Sequence, residues 1–233
     1  MEAPLILAIE TSGKTGGIAL FRESLLGEIA LFSKESYSNI IFKSLPFLEK
    51  ILGFSLDELN YYAIDIGPGS FTGLRIGLSI LKGLCLVYPK PVITVSSLEI
   101  LATNFISYSE NIVSLVDAYS KEVFLASYRW ENFHLKTLLS PKCIPLKDLP
   151  LYINAPSLFV SETLGKWKDF LKENLKDFFI EPIFPPNLSA GLVAKLAYIK
   201  LKQGIAEIKD AEKILPLYLK PSEAERKSGL RVT

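Results

Sequence analysis

Residues 67–78, GPGSFTGLRIGL, decide the fold because they join an apolar stretch to a helical one. Residues 61–66 (YYAIDI) before them have the composition of a buried strand. Residues 71–87 after them carry apolar side chains at helical spacing. The segment therefore predicts a strand, a tight glycine-rich turn and a helix in succession, as in α/β proteins.

The glycine-rich turn could serve an anion or only the fold. Free backbone NH groups at a helix start attract anions, and Ser70 or Thr72 can cap this helix. The spacing of Gly67, Gly69 and Gly73 is GxGxxxG, which differs from the dinucleotide fingerprint GxGxxG. A Walker loop needs GK followed by Ser or Thr, and residues 67–78 contain no such run. We expect a structural corner that positions the helix.

The helix over residues 71–87 carries more apolar surface than one sheet can cover. At 100° per residue its apolar positions form two strips roughly 120° apart. Gly73 and Gly77 lie in the first strip, where missing side chains would admit a second helix. Either the helix predicted over 39–52, which contains Pro46, supplies the second cover, or a second protein does. The two strips are Gly73, Gly77, Ile80, Leu84 and Val87, and Leu74, Leu78, Leu81 and Cys85.

The predicted elements repeat along the chain. Three short strands, a helix, a strand, a helix, a strand and a helix fill the first half, and the same order restarts after Ser109. We predict an α/β protein of two lobes, each a mixed sheet flanked by helices. The lobes are assigned to residues 1–108 and 109–203, with residues 204–233 packing back on the first lobe.

Composition excludes several classes of protein. The 233 residues are 49% hydrophobic and 22% charged, and 26 Lys and Arg oppose 25 Asp and Glu, for a net charge of +1. Because the net charge is close to zero, the protein has no overall electrostatic field that would attract nucleic acid or an acidic membrane. The start lacks a signal-peptide pattern and the two cysteines have no CxxC spacing, so we expect a cytoplasmic protein with no membrane partner.

Catalytic groups are few. His134 is the only histidine, and no cluster has metal-ligand spacing, so no metal is expected. Three carboxylates end predicted strands, where α/β proteins place ligand groups, although each could instead cap a turn or face solvent. They and their neighbours form a candidate nucleotide crevice: Glu10, Thr11, Ser12, Asp65, Gly67, Gly69 and Asp117.

Several motifs together resemble one family. They are ILAIETS, GPGSFTGLRIGLSILKGL, VSSLEILA, DAYSKEVF and LPLYLKPSEAE, and the resemblance to the bacterial TsaB (YeaZ) family covers essentially the whole chain. It implies the duplicated fold of actin, sugar kinases and Hsp70, with ribonuclease H-like lobes. That fold agrees with the repeat read from the residues.

The resemblance also implies a function. Such a chain takes part in making N6-threonylcarbamoyladenosine at position 37 of tRNAs that read codons starting with A. It is implied to be a non-catalytic scaffold that pairs with the catalytic TsaD and the ATPase TsaE, and meets tRNA only through the complex. TsaD uses an HxxxH metal pair, whereas the matching residues 37–45 here, YSNIIFKSL, contain no histidine.

The family's pairing surface, used for TsaD or for a homodimer, maps onto the first two helices. In this sequence it corresponds to Ile41, Ser44, Leu45, Leu48, Gly73, Ile76, Gly77, Ile80, Leu81 and Leu84.

Three departures from the family pattern touch the crevice. Glu10 replaces a usual Asp, residues 15–20 (TGGIAL) replace a Ser-containing hairpin, and residues 117–124 lack a common Arg. We therefore expect no tightly bound cofactor, with ATP or ADP bound only in the complex. The alternative is an independent ATPase or kinase of the actin-like fold, in which Asp65 and Asp117 hold a metal–phosphate group. Peptidase activity lacks a nucleophile and base pair.

Overall fold

The computed structural model describes residues 3–32 and 37–220, which contain eleven strands and five α-helices. The strands are β1 (Ile6–Glu10), β2 (Gly16–Arg22), β3 (Ser24–Leu31), β4 (Tyr61–Asp65), β5 (Val92–Val95), β6 (Asn111–Asp117), β7 (Glu122–Glu131), β8 (His134–Pro145), β9 (Ser157–Val160), β10 (Phe179–Ile180) and β11 (Ile208–Lys209). The helices are α1 (Tyr37–Leu52), α2 (Phe71–Val87), α3 (Ser97–Thr103), α4 (Lys168–Leu175) and α5 (Ala190–Lys202).

The strands form two sheets of the same design. The first has the order β11-β5-β4-β1-β2-β3, and the second has the order β10-β9-β6-β7-β8. In each, the first strand of the lobe pairs antiparallel with the second and parallel with the fourth, as β1 does with β2 and β4 and β6 with β7 and β9. The prediction of two mixed α/β sheets from a repeated element order is confirmed.

The sheets and helices stack in layers. α1 and α2 cover the outer face of the first sheet, with Ile41 and Leu81 in the shared core. α3 and α5 lie between the two sheets, in a core that also holds Ala8 and Ala126. α4 covers the outer face of the second sheet. β1 is buried along its whole length because helices cover both faces of its sheet.

The place of α5 differs from what the sequence order indicates. Counted along the chain it is a helix of the second lobe, yet it packs mainly on β1, β2 and β3 of the first sheet. Its N-terminus is fixed there by Glu28 of β3, whose carboxylate accepts a 2.9 Å hydrogen bond from the Gly191 amide. Small residues such as Ala194 and Ala197 let α5 fit between the two sheets.

The C-terminal segment also differs in detail. Residues 214–225 (ILPLYLKPSEAE) have the apolar, proline-bounded composition of a strand, but the described residues up to 220 form no strand there, and residues 221–225 lie outside the described part. Instead β11 adds to the edge strand β5, and the Leu217 amide donates to the Ile66 carbonyl at 2.7 Å. Pro46 lies inside α1, which continues from Tyr37 to Leu52. No helix in the described ranges is long and apolar enough to cross a membrane.

Candidate functional site

The polar groups of the glycine-rich corner after β4 form hydrogen bonds within the chain. The Gly67 amide donates to Asp65 Oδ1 at 2.7 Å, and the Gly67 carbonyl accepts from the Ser97 amide at 2.9 Å. Ser70 caps α2 by accepting from the Gly73 amide at 3.2 Å. Gly67 has a φ of +101°, which favours glycine. The corner therefore acts as a structural joint between β4 and α2.

Gly73 and Gly77 of α2 face inward, which corrects their predicted role. A Cβ on Gly73 would lie 1.9 Å from the Thr11 carbonyl oxygen, and one on Gly77 would lie 2.3 Å from Thr11 Oγ1. Thr11 Oγ1 also donates to the Gly73 carbonyl at 2.8 Å. The missing side chains thus admit the end of β1 rather than a helix of another protein.

A buried carboxyl pair lies at the ends of β1 and β4. Ser12 Oγ is 2.8 Å from Glu10 Oε1 and 2.6 Å from Asp65 Oδ2, and Ser97 Oγ donates to the same Asp65 oxygen at 2.6 Å. Backbone amides of Ser12 and Gly13 also donate to Glu10 Oε1, at 2.5 and 3.0 Å. Both carboxyl groups are almost wholly enclosed, with exposed fractions of 1% and 2%.

Burial sets the protonation of this pair. Loss of water and the neighbouring Asp65 charge raise the pKa of Glu10 well above its usual range, and burial raises the pKa of Asp65 while its hydrogen bonds oppose the rise. Glu10 Oε2 is buried and accepts no hydrogen bond. Glu10 therefore favours its protonated form in the folded protein more strongly than a solvent-exposed glutamate does.

Asp117 lies across a cleft from this pair, at the end of β6. It forms an ion pair with Lys166, and its Oδ1 accepts from the Tyr119 amide at 2.9 Å. Of the predicted crevice residues, those of the first lobe come together around Glu10 and Asp65, whereas Asp117 lies on the opposite wall with Lys166. The cleft between the lobes has a volume of about 170 Å³ and is lined by Ser12, Gly69 and Asp117 among others.

Glu162 closes this cleft. Its two carboxylate oxygens accept from the Lys14 and Leu188 amides, both at 3.1 Å, and its carbonyl accepts from Lys14 Nζ at 2.6 Å. Ligand pockets commonly measure about 300–1,000 Å³, so the volume of this cleft lies below that range. In the described part of the chain, no three His, Cys, Asp or Glu side chains are placed to hold a metal ion.

Sequence reasoning missed Glu162, although a signal for it was present. It lies two residues beyond the end of β9, close to the positions at which Asp65 ends β4 and Asp117 ends β6. The same strand-end rule that selected those carboxylates would have selected Glu162.

Most of the predicted pairing residues are internal. Eight of the ten are buried: Ile41, Ser44, Leu45, Leu48, Gly73, Gly77, Ile80 and Leu81. Only Ile76 and Leu84 are partly exposed. The predicted residues lie on the sides of α1 and α2 that face the sheet. A helical wheel shows two apolar strips but does not tell which of them faces the sheet and which faces outward.

The outer surface of these helices nevertheless presents an open apolar groove. Phe42 of α1 is 56% exposed and Phe71 of α2 is 44% exposed. Between the helices lies a depression of about 540 Å³, which we name the α1/α2 groove. It is lined by Ser38, Phe42, Phe71, Thr72, Arg75, Ile76, Ser79 and Ile80. Within residues 3–32 and 37–220, α1 therefore covers only part of α2 and leaves the groove exposed.

Comparison with known proteins places this architecture in a family. A family model described as TsaD, tRNA N6-adenosine threonylcarbamoyltransferase, matches residues 31–158, which is more than half of the chain. The Bacillus subtilis (strain 168) tRNA threonylcarbamoyladenosine biosynthesis protein TsaB is 30% identical over 230 residues, covering 95% of this chain and 96% of its own. The Escherichia coli (strain K12) protein of the same name is 32% identical over 153 residues, covering 60% of this chain and 64% of its own.

A solved structure supports the same fold. A Pseudomonas aeruginosa protein, described as uncharacterized with similarity to peptidase YEAZ, superposes with a TM-score of 0.79 at 23% identity. The match covers 93% of this chain and 100% of that one. Two mixed sheets with helices between and around them, shared with these proteins, form a two-lobe actin-like fold. With a full-length relative at 30% identity, this chain belongs to the TsaB family.

Proposed function

We propose that this chain is a non-catalytic subunit required for making N6-threonylcarbamoyladenosine in tRNA. Relatives that cover most of the chain are named as biosynthesis proteins for this nucleoside. In the proposed role the chain acts in the cytoplasm, binds a TsaD-type catalytic subunit and works with a TsaE-type ATPase. It meets tRNA only through that complex, in which the threonylcarbamoyl group passes to N6 of adenosine 37.

The exposed α1/α2 groove is the observation that carries this proposal. Exposed aromatic side chains around a depression on two packed helices are typical of a protein-binding surface. Phe42 and Phe71 lie on opposite helices of the groove and offer two such anchors. The TsaD family match over residues 31–158 spans both helices, which supports a partner built on the same scaffold. Without TsaD, the same face is proposed to form a homodimer.

The crevice supports a role outside catalysis. Within the chain, Ser12 and Ser97 hold Asp65 of the buried carboxyl pair, and Glu162 joins the two walls of a cleft of about 170 Å³. His134 lies exposed at the start of β8, far in sequence from the carboxyl pair. Chemistry is therefore assigned to the TsaD-type partner, and ATP or ADP is proposed to bind only in the complex.

Reconstitution tests the role. The purified chain should modify no tRNA alone, and adding TsaD, TsaE, threonylcarbamoyl-adenylate and tRNA should give modification that stops when the chain is left out. Phe42→Asp should reduce both pairing with TsaD and modification, since it places a charge in the apolar groove. Phe133→Asp is the matched control, because Phe133 is 73% exposed in the hairpin of the second lobe.

The outcome can also favour the alternative. ATP hydrolysis by the chain alone, lost in Asp117→Asn, would support an independent ATPase of the actin-like fold. Modification that proceeds equally well without the chain would contradict the scaffold role.

A further inference from the structure

Residues 214–220, which we name the strap, run from the first lobe to the second. Ile214 at its start is buried in the core that α1 and α2 form with the first sheet. Further along, the Leu217 amide donates to the Ile66 carbonyl at 2.7 Å, and Leu219 packs against the core between the two sheets. The first part of the strap is therefore anchored on the first lobe.

Lys220, at the end of the strap, is held by the second lobe. Its ammonium group donates to the Ala118 carbonyl and to Glu122 Oε2 at 3.2 Å. The same group lies 5.9 Å from the centre of the Phe124 ring. The Lys220 and Glu122 side chains are both partly buried, so salt and water screen this pair less than a fully exposed one. The ammonium of Lys220 therefore ties the strap to the second lobe.

The strap joins the two walls of the cleft between the lobes. Ile66, which accepts from the strap, stands directly before the glycine-rich corner, and Ser70 of that corner lines the cleft on the first lobe. Ala118 stands between Asp117 and Tyr119, which line the cleft on the second lobe. The two attachment points of the strap are thus next to residues of opposite walls.

The other side of the cleft is joined by an equivalent contact. Because the two lobes repeat one strand order, the turn after β6 corresponds to the turn after β1. Lys14 in the turn after β1 donates from Nζ to the Glu162 carbonyl at 2.6 Å, as Lys220 does to the Ala118 carbonyl. Lys14 belongs to the wall itself, whereas Lys220 is brought by the strap. The strap contact can therefore break without unfolding either wall.

We propose that the strap holds the cleft between the lobes closed, and that release of Lys220 opens the cleft. The strap is suited to release because Leu215 is 69% exposed and Tyr218, which packs on Phe71, is 53% exposed. Segments with little buried surface open at a low free energy. Opening would enlarge the cleft from about 170 Å³ toward the usual size of ligand pockets, about 300–1,000 Å³. This device belongs to the isolated chain and goes beyond the scaffold role.

Labelling of a thiol inside the cleft measures how often the cleft opens. The reporter is Ser161→Cys, because Ser161 lines the cleft and is almost wholly buried. Cys85→Ala and Cys143→Ala make it the single thiol of the chain. Its rate of reaction with a neutral thiol reagent follows the open fraction when closing is fast. Lys220→Met keeps the apolar stem and removes the ammonium group, so it should raise this rate about tenfold.

Two controls separate opening of the cleft from unfolding and from loss of any cation. Ser157→Cys, used in place of Ser161→Cys, puts the thiol at the other end of β9, where Ser157 is also almost wholly buried. Its labelling rate should not change with Lys220→Met. Lys213→Met removes a nearby lysine that pairs with Asp210 three residues away. It should leave the labelling rate at Ser161→Cys unchanged.

An unchanged rate at Ser161→Cys in the Lys220→Met variant would overturn the proposal. Equal acceleration at Ser157→Cys would overturn it too, because the strap would then hold the fold rather than the cleft. Glu122→Gln tests the same contact from the second lobe and should also speed labelling at Ser161→Cys. Combined with Lys220→Met it should give no further rise, whereas additive rises would show that the two residues act separately. These measurements need no TsaD-type subunit, so the scaffold role is tested independently of them.

Discussion

Thr11 and Gly73 form the closest joint between the first sheet and α2. The Thr11 hydroxyl donates to the Gly73 carbonyl at 2.8 Å, and a Cβ on Gly73 would lie 1.9 Å from the Thr11 carbonyl oxygen. The backbone of α2 is thus in contact with the segment that follows β1. This segment continues into Ser12, whose hydroxyl touches both buried carboxyl groups. The glycine motif therefore fixes the sheet, the helix and the carboxyl pair in one unit.

Gly73→Ala should destabilise the protein because the backbone at Thr11 must move to admit the methyl group. Gly77→Ala should cost less, since the nearest atom is the Thr11 hydroxyl, which can rotate away at the expense of its hydrogen bond. Overpacking of this kind costs about 1–3 kcal/mol. Urea unfolding of the wild type, Gly77→Ala and Gly73→Ala measures their free energies of unfolding, which should fall in that order.

Gly83→Ala is the matched control for these two variants. It lies in the same helix, and its added Cβ would meet no other atom within 4 Å. Helix propensity alone should then raise the free energy of unfolding by up to about 1 kcal/mol. Equal losses in all three variants would show that α2 tolerates no alanine for a reason other than contact with Thr11.

Glu10→Gln should raise stability at neutral and alkaline pH. The folded state keeps the Glu10 proton above the pH at which the unfolded chain releases it, because burial and Asp65 raise its folded pKa. The resulting stability is complete below the ordinary glutamate pKa and is lost as pH rises toward the folded pKa. At a pH above both pKa values of Glu10, each pKa unit between the folded and the unfolded state lowers the free energy of unfolding by about 1.4 kcal/mol. The amide reproduces the protonated carboxyl and does not titrate.

Unfolding free energies measured from pH 4 to pH 9 should therefore fall with pH in the wild type and fall less in Glu10→Gln. Asp65→Asn is the contrast, since its NH₂ group replaces one accepting oxygen, either Oδ2 with its Ser12 and Ser97 donors or Oδ1 with its Gly67 donor. It should lower stability at every pH. A wild-type slope retained in Glu10→Gln would mean that the proton is held elsewhere.

The local sequence pattern predicted the helices and strands of this fold more accurately than it predicted which of them pack against each other. Residues 61–87 gave the strand, turn and helix correctly, because a glycine-rich corner and apolar periodicity are properties of contiguous residues. The strand-end rule also selected Glu10 and Asp65. It could not show that Asp65 raises the pKa of Glu10, since that depends on β1 pairing with β4 across more than fifty residues.

The predicted outer surfaces of α1 and α2 differ from the observed ones for a related reason. The wheel of α2 revealed two apolar strips and assigned the glycine strip to a second helix, of this chain or of a partner, whereas Thr11 occupies it. The exposed groove depends on how α1 and α2 pack side by side, which is a tertiary property. The position of α5 between the sheets likewise follows from small side chains and from Glu28, a residue of a distant strand.

Glu162→Ala should loosen the contact between the two lobes. The change leaves the amides of Lys14 and Leu188 without their acceptor. It also opens space beside Gly13, where an added Cβ would lie 2.9 Å from Glu162 Oε2. A lost hydrogen bond to a charged acceptor typically costs about 1.5–3 kcal/mol. Amide hydrogen exchange should therefore accelerate at Lys14 and Leu188 without global unfolding.

The Gly191 amide is the internal control in the same spectra. It is bonded to the Glu28 carboxylate at 2.9 Å and lies on α5, only a few residues from Leu188. Its exchange should stay at the wild-type rate if Glu162 acts only on the cleft. Equal acceleration at Gly191 would show that the whole α5 start has come loose, and unchanged exchange at Lys14 would show that Glu162 does not hold the lobes together.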